Sequence, residues 1–232
     1  MAVDLTGKTI LITSGGTLEK WDKVRGHTNM ATGTMGTYLA EEAQKLGATI
    51  IYLNGYFAKK PSNTDNLSLI TFEGIEDLRD KIKHIVTTQA IDAVIMAAAG
   101  SDWLVDEILD QQGNPIAEAG KLSSDEPPII KFKKAPKILP QIKTWNHDLT
   151  LVGFKLEDAT NDELVARATK RMATSKASFM VANQSSSLYT PDVDHYIIDE
   201  AGNYTIFAGK RAAAQGLMAT LAAHLNEAGT DV

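Results

Sequence analysis

Short apolar runs alternate with longer helical stripes along most of the chain, the pattern of a parallel sheet covered by helices. Thr9-Ile10-Leu11-Ile12-Thr13 reads as a first strand, ended by Ser14-Gly15-Gly16-Thr17. Between Thr34 and Leu46 the apolar positions Met35, Leu39, Ala43 and Leu46 share one helix face, and Gly47 supplies a stop. Thr49 to Leu53 is the next strand, so residues 9–53 form one βαβ unit. The rhythm continues with a strand over Leu67–Phe72, a helical stripe at Ile75, Leu78, Ile82 and Ile85, and a buried strand over Asp92–Ala97. A helical stretch over Pro136–Trp145 leads to a strand at Leu149–Phe154, a helix marked by Leu164, Val165, Ala168 and Met172, and a strand at Phe179–Ala182. Tyr196-Ile197-Ile198 and Tyr204-Thr205-Ile206-Phe207 read as a hairpin, before a last helix carrying Ala214, Leu217, Leu221 and Leu225. The expected fold is a Rossmann-like α/β three-layer sandwich with a mostly parallel sheet and a small β-hairpin extension.

Residues 103–134 break the rhythm. They have mixed polarity, the pair Pro127-Pro128 and a lysine-alternating strand, Ile129-Ile130-Lys131-Phe132-Lys133. Long insertions of this kind in compact domains usually carry function, so the segment is expected to be a flap or arm on one domain spanning residues 1–232. Lys131 and Lys133 read as edge-strand lysines that discourage aggregation.

The 232 residues carry 23 basic and 29 acidic side chains, a net charge of −6, which disfavours a broad nucleic-acid surface. The absence of cysteine removes disulfides, thiolate metal sites and a protein-borne thioester. The start has no signal pattern and no run is long enough to cross a bilayer, so a cytoplasmic protein without membrane partners is expected.

In open parallel sheets, ligands bind outside the carboxyl ends of the strands. Here those ends are Thr13–Thr17, Leu53-Asn54-Gly55, Ala97–Asp102, Gly153-Phe154 and Ala182-Asn183, mostly small or hydrogen-bonding residues. Any one of them reads equally well as an ordinary turn; five together point to a site. Residues 14–33 separate the first strand from its helix, far more than the usual 2–6 residues. Gly15-Gly16 opens that segment, and Gly33-Thr34-Met35-Gly36 starts the helix, where free backbone N–H groups attract anions. The segment matches neither the dinucleotide fingerprint nor the phosphate loop. Asn29 is a candidate for a substrate amide or carboxylate, or else a turn former. Asp102 is a candidate for a sugar hydroxyl or a metal ion, or else a helix N-cap. Lys121, between Gly120 and Leu122-Ser123-Ser124, is a candidate to close over a polyphosphate. The five histidines show no metal-ligand spacing, and Tyr56-x-x-x-Lys60 sits too early in the chain to be a dehydrogenase pair.

These residues carry a resemblance. Ile12-Thr13-Ser14-Gly15-Gly16-Thr17, Asp22-Lys23-Val24-Arg25, Thr28-Asn29 and Ala31-Thr32-Gly33-Thr34-Met35-Gly36 resemble the signature of the phosphopantothenoylcysteine synthetases, or phosphopantothenate–cysteine ligases. The likeness continues through Ala97–Trp103, Gly120–Ser124, Lys134–Leu139, Leu151–Glu157 and Val181–Asn183, in the family's order. Leu18-Glu19-Lys20-Trp21-Asp22 departs from the usual Glu-Pro-Ile-Asp, Ala31-Thr32 from Ser-Ser, and the lone Lys121 from a lysine-rich cluster. The resemblance implies the standalone bacterial form, a cytoplasmic homodimer in coenzyme A biosynthesis that joins 4′-phosphopantothenate to L-cysteine. It implies CTP or ATP as co-substrate, Mg²⁺, and an acyl-nucleotide intermediate, with acyl-cytidylate the expected form.

The same resemblance distributes roles. Lys121 and Asn29 would be catalytic, Lys121 against developing phosphate charge and Asn29 on the acyl intermediate. Ser14, Gly15, Gly16, Thr17, Gly33, Met35 and Gly36 would hold the nucleotide's phosphates, and Asp102 its ribose. Met96, Ala97, Ala98, Lys137, Ile138, Leu139 and Phe154 would surround the base, with Arg171 and Lys176 on the triphosphate. Asn29, Arg25, Ala31 and Asn183 would bind substrate; no metal ligand is assigned. Two other readings stay open: an NAD(P)-dependent oxidoreductase on a Rossmann-like sheet, and a non-catalytic nucleotide-binding regulator.

Overall fold

The computed structural model describes residues 4–116 and 120–227. Residues 1–3 of the start expected to carry no signal pattern, residues 117–119 of the expected arm, and residues 228–232 of the expected domain lie outside them. The chain opens with β1 (Thr9–Ser14), β2 (Leu18–Lys20), β3 (Gly26–Thr28), α1 (Thr34–Lys45), β4 (Thr49–Gly55) and β5 (Leu67–Phe72). It continues through α2 (Ile75–Thr88), β6 (Ala93–Met96), β7 (Trp103–Leu109), β8 (Ile129–Lys134), α3 (Leu139–Trp145) and β9 (Thr150–Glu157). It closes with α4 (Asn161–Ser175), β10 (Phe179–Gln184), β11 (Asp194–Asp199), β12 (Tyr204–Ala208) and α5 (Lys210–Glu227).

Eight strands form one sheet in the order β12-β11-β10-β9-β6-β1-β4-β5. The pairs from β5 through β10 are parallel, and β11 and β12 extend the edge antiparallel. The expected hairpin at 196–207 is therefore the sheet's own continuation. Leu11, Leu53, Val94 and Met96 face α2, α3 and α4, while Ile10, Ile12, Ile50 and Ile95 face α1 and α5. A strand covered on both faces is apolar throughout, which explains the unbroken Ile10-Leu11-Ile12 run. Each such side chain contributes on the order of 1.5–3 kcal/mol by leaving water, whereas an exposed ion pair such as Lys20–Glu73, at 2.7 Å, contributes about 1 kcal/mol or less. The layers, more than surface charge, hold the strand ends in place.

Three local expectations are corrected. Residues 14–33 contain the antiparallel pair β2–β3, too short to show an alternating pattern. The helix expected from Pro136 begins at Leu139, with Pro140 in its first turn where no N–H is needed. Asp102 caps no helix: β7 starts at the next residue, and the Asp102 carboxylate accepts from Lys137. β7 and β8 pair as a separate two-stranded ribbon, with cross-strand ion pairs Lys131–Glu107 (3.0 Å) and Lys133–Asp106 (3.4 Å).

Candidate active site

The carboxyl end of β1 is tied to the segment that follows β6. The Thr13 hydroxyl accepts from the Ala98 N–H (3.1 Å), the Ala99 N–H donates to Gly15 (2.9 Å), and the Ser101 N–H donates to the Thr17 hydroxyl (2.9 Å). Asn29 adds its amide Nδ2 to the Ala99 carbonyl at 2.8 Å. Side chains and backbone thus fix residues 97–101 in an irregular but fully tethered path.

Two glycines explain how α1 approaches so closely. Gly33 stands at the helix start with φ +81°, a left-handed conformation that costs other residues energy. A Cβ on Gly36 would lie 2.2 Å from Ser14 Oγ, so only glycine lets the first turn of α1 rest on the end of β1. The Ser14 hydroxyl is free to donate to the Gly33 carbonyl (3.1 Å).

Two adjoining cavities open along these strand ends and share Ala98, Ala99, Phe154 and Leu156 as their common wall. The first, of about 170 Å³, takes Ser14 and Gly15 from β1 and its loop, Ala31, Gly33, Met35 and Gly36 from the approach and start of α1, Ala97 after β6, and Asn183 from β10. Among the described residues no aspartate or glutamate lines it. The second, of about 240 Å³, is bordered by Met96, Asp102, Lys137, Ile138, Leu139 and Arg171. Its cations are largely compensated: Lys137 pairs with Asp102, and Lys155 with Glu157, which also holds Arg167. The Lys155 and Arg167 cations keep the Glu157 carboxyl below the usual range.

The remaining sequence candidates lie elsewhere. Gly16 and Thr17 stand behind the wall, Gly16 bridged to Ala99 and Thr17 buried. Lys176 ends α4 in a left-handed conformation and borders a separate depression with Glu200. Arg25 and Lys121 line neither cavity. Arg25 Nη2 donates to the Leu122 carbonyl (2.8 Å), the Leu122 N–H donates to Asp22 (2.9 Å), and the Lys23 N–H donates to the Gly120 carbonyl (3.2 Å). Backbone N–H groups, that of Val24 foremost, hold the Asp22 carboxyl below its ordinary range. His27 completes the junction: its Nδ1 accepts from Trp21 Nε1 (3.1 Å), leaving Nε2–H to face Ser101 Oγ (3.3 Å) and the Trp103 carbonyl (3.2 Å). The exposed Lys121 therefore rides on a loop docked to the β2–β3 tip.

Thr32, Thr34, Ala99 and Leu156 line the first cavity from within the sequence motifs without a role assigned to them, and Ser187, Leu188, His195 and Lys210 line it from outside every motif. Nothing local marks the latter, although the left-handed Gly209 just before α5 announces a tight turn there.

The chain matches the family described as the C-terminal domain of DNA/pantothenate metabolism flavoproteins over residues 5–225. It belongs to that family. It is 32% identical over 180 residues to the coenzyme A biosynthesis bifunctional protein CoaBC of Thermococcus kodakarensis, covering 77% of this chain and 42% of that one. Against CoaBC of Bacillus subtilis it is 30% identical over 183 residues, covering 77% and 41%. This DNA/pantothenate family member thus spans less than half the length of the curated relatives it matches. The DNA/pantothenate metabolism flavoprotein of Streptococcus pneumoniae has the same fold at TM-score 0.83 and 27% identity, over 94% of this chain and 99% of that one. A Cab2 mutant in complex with phosphopantothenate-cysteine shares the fold at TM-score 0.74 and 18% identity, over 97% and 89%. The Rossmann-like three-layer architecture expected from the sequence is that of the family. Among the described residues no helix is long and apolar enough to cross a membrane.

Proposed function

We propose that this chain is a phosphopantothenate–cysteine ligase, acting in the coenzyme A biosynthesis named in its CoaBC relatives. The carboxylate of 4′-phosphopantothenate attacks the α-phosphorus of a nucleoside triphosphate, CTP in the preferred reading and ATP otherwise, releasing pyrophosphate. The amine of L-cysteine then attacks the acyl carbon, expels the nucleoside monophosphate and forms the amide. The observation that carries this reading is the pair of adjoining cavities at the strand ends of a member of this family. One has no carboxylate among its described lining residues, and the other offers Asp102 together with backbone around Met96 to Ala98 and Lys137 to Leu139.

Bringing one anion to another requires positioning and neutralised charge more than a protein nucleophile. The start of α1 at Gly33–Gly36 supports phosphate binding in the first cavity, and Asp102 suits a ribose hydroxyl in the second. Asn29, already oriented by Ala99, would present its remaining amide valence to the acyl group. Lys121 would neutralise phosphate charge when its loop meets a nucleotide, and Arg25, Ala31 and Asn183 would contact the acid substrate. Arg171 would reach the phosphates from α4, with Lys176 a weaker candidate at the helix end. Mg²⁺ fits this arrangement as a companion of the nucleotide. No group of three or more acidic or histidine ligands occurs among the described residues, and Mg²⁺ commonly relies on phosphates plus one or two carboxylates, for which Asp102 is available.

We propose further that the chain acts as one domain and as a homodimer. Trp103 and Phe132 on the β7–β8 ribbon are 58% and 45% exposed, apolar surface that a second copy would cover. The deciding experiment incubates the protein with 4′-phosphopantothenate, L-cysteine and each nucleoside triphosphate in turn, following pyrophosphate. Release that requires the acid substrate supports the ligase; no release with any nucleotide overturns it. Sedimentation equilibrium tests the dimer.

A further inference from the structure

The first cavity holds two groups to which neither the family motifs nor the sequence assign a role. Lys210 is the first residue of α5 and lies on the cavity wall, half-buried, with no carboxylate partner among the described residues. Its neighbour Arg211 shows the contrast: that guanidinium pairs with Glu41 (3.1 Å) and lies 3.9 Å over the Tyr38 ring. Burial, and then the nearby Lys59 charge, push the Lys210 ammonium below its ordinary range. A half-buried cation with no carboxylate partner among the described residues is suited to an incoming anion.

His195 faces the same cavity and is 1% exposed. Its Nδ1–H donates to the Val193 carbonyl at 2.8 Å, which fixes the tautomer and leaves Nε2 with no partner among the described residues. The charged groups bearing on the ring are Lys210 from α5 and Asp194 on its own strand. The β10 neighbour across the sheet is Asn183, and the β12 neighbour is Phe207. Burial pushes the imidazole below its usual range and so favours the neutral ring. An incoming anion would reverse that preference and turn Nε2 into a donor. Tertiary structure brings the start of α1, the start of α5, Lys210 and His195 around one space that no acidic side chain among the described residues lines.

We propose that Lys210 and His195 form a phosphate subsite that takes the outer phosphates of the nucleoside triphosphate and the pyrophosphate product. The inference rests on the ligase reading above and deepens it. The nucleotide runs from the second cavity into the first across the shared Ala98–Phe154 wall, with its leaving group against Lys210. The acid substrate carries a phosphate monoester of related chemistry, so the test separates the two sources.

Inorganic pyrophosphate and 4′-phosphopantothenate are titrated separately into wild type, Lys210→Met and Lys210→Arg by calorimetry. Lys210→Met is expected to weaken pyrophosphate about 10- to 100-fold, the loss of one charge-assisted hydrogen bond, to spare 4′-phosphopantothenate, and to be partly rescued by arginine. The ¹⁵N signal of His195 Nε2 in the wild type is expected to move toward the protonated form on adding pyrophosphate. Unchanged pyrophosphate affinity in a folded Lys210→Met protein, a loss confined to 4′-phosphopantothenate, or a stationary His195 signal overturns the subsite. Pyrophosphate binding that depends on Lys210 in a protein without ligation activity leaves the subsite standing and sinks the ligase reading instead.

Discussion

The crevice at the strand ends and the β7–β8 arm are built on opposite terms. The crevice is backbone and small side chains held from behind by two apolar layers, and its first cavity carries uncompensated positive character. The arm is an exposed ribbon whose lysines face carboxylates across the strands, held at its base by His27 and through its connecting loop by Asp22 and Arg25. A rigid crevice can define geometry but cannot move. A ribbon held by a few polar contacts can bring charge in from the side, yet adds little to stability. The comparison teaches that positioning and charge delivery are separable parts of one proposed site.

The sharpest way to break this division is Lys121→Gln. Under the ligase reading it lowers kcat on the order of 10²–10³-fold, as removal of one preorganised charge donor does, while the thermal midpoint stays unchanged. Near-normal turnover would remove the arm from catalysis. Gly36→Ala attacks the crevice instead. The new methyl meets Ser14 Oγ at 2.2 Å and Tyr52 Oη at 3.0 Å, so urea unfolding should show a loss of about 1–3 kcal/mol; an unaltered midpoint would mean that α1 can retreat at no cost.

Smaller effects test the seam and the ribbon. The buried Glu19 on β2 accepts from the Ile75 N–H at 2.9 Å, fastening the β2–β3 pair to the start of α2. Glu19→Gln keeps an acceptor but drops the charge at a helix N-terminus, an expected loss of about 1 kcal/mol in the same unfolding assay. Lys131→Met breaks only an exposed cross-strand pair and should change stability by about 0.5 kcal/mol or less. A much larger loss there would show that the arm is structural and adds to stability as the crevice does.

Much of the fold was legible because periodicity is local. The Ile10-Leu11-Ile12 run, the Leu39–Ala43 stripe and the small residues at strand ends each announce an element or its close approach within a few residues. The β2–β3 pair escaped notice because three-residue strands carry no readable alternation. Of the two readings of Asp102, a ribose or metal candidate or else a helix cap, the cap fails because β7 follows, and the pairing of Trp103 with Lys134 across the arm has no local mark.

The sequence by itself determined the alternation of strands and helices, the exclusion of thiol chemistry and the glycine-rich start of α1. Tertiary structure alone decided which side chains share a space. It set His195 and Lys210 beside Ser14 and Gly33, placed Lys121 on the Asp22 loop outside both cavities, and sent Lys176 to another surface. The physical reason is that hydrophobic period fixes an element and its buried face. Sheet order and antiparallel return, which join residues nearly two hundred positions apart, follow from long-range packing that no short stretch of chain encodes.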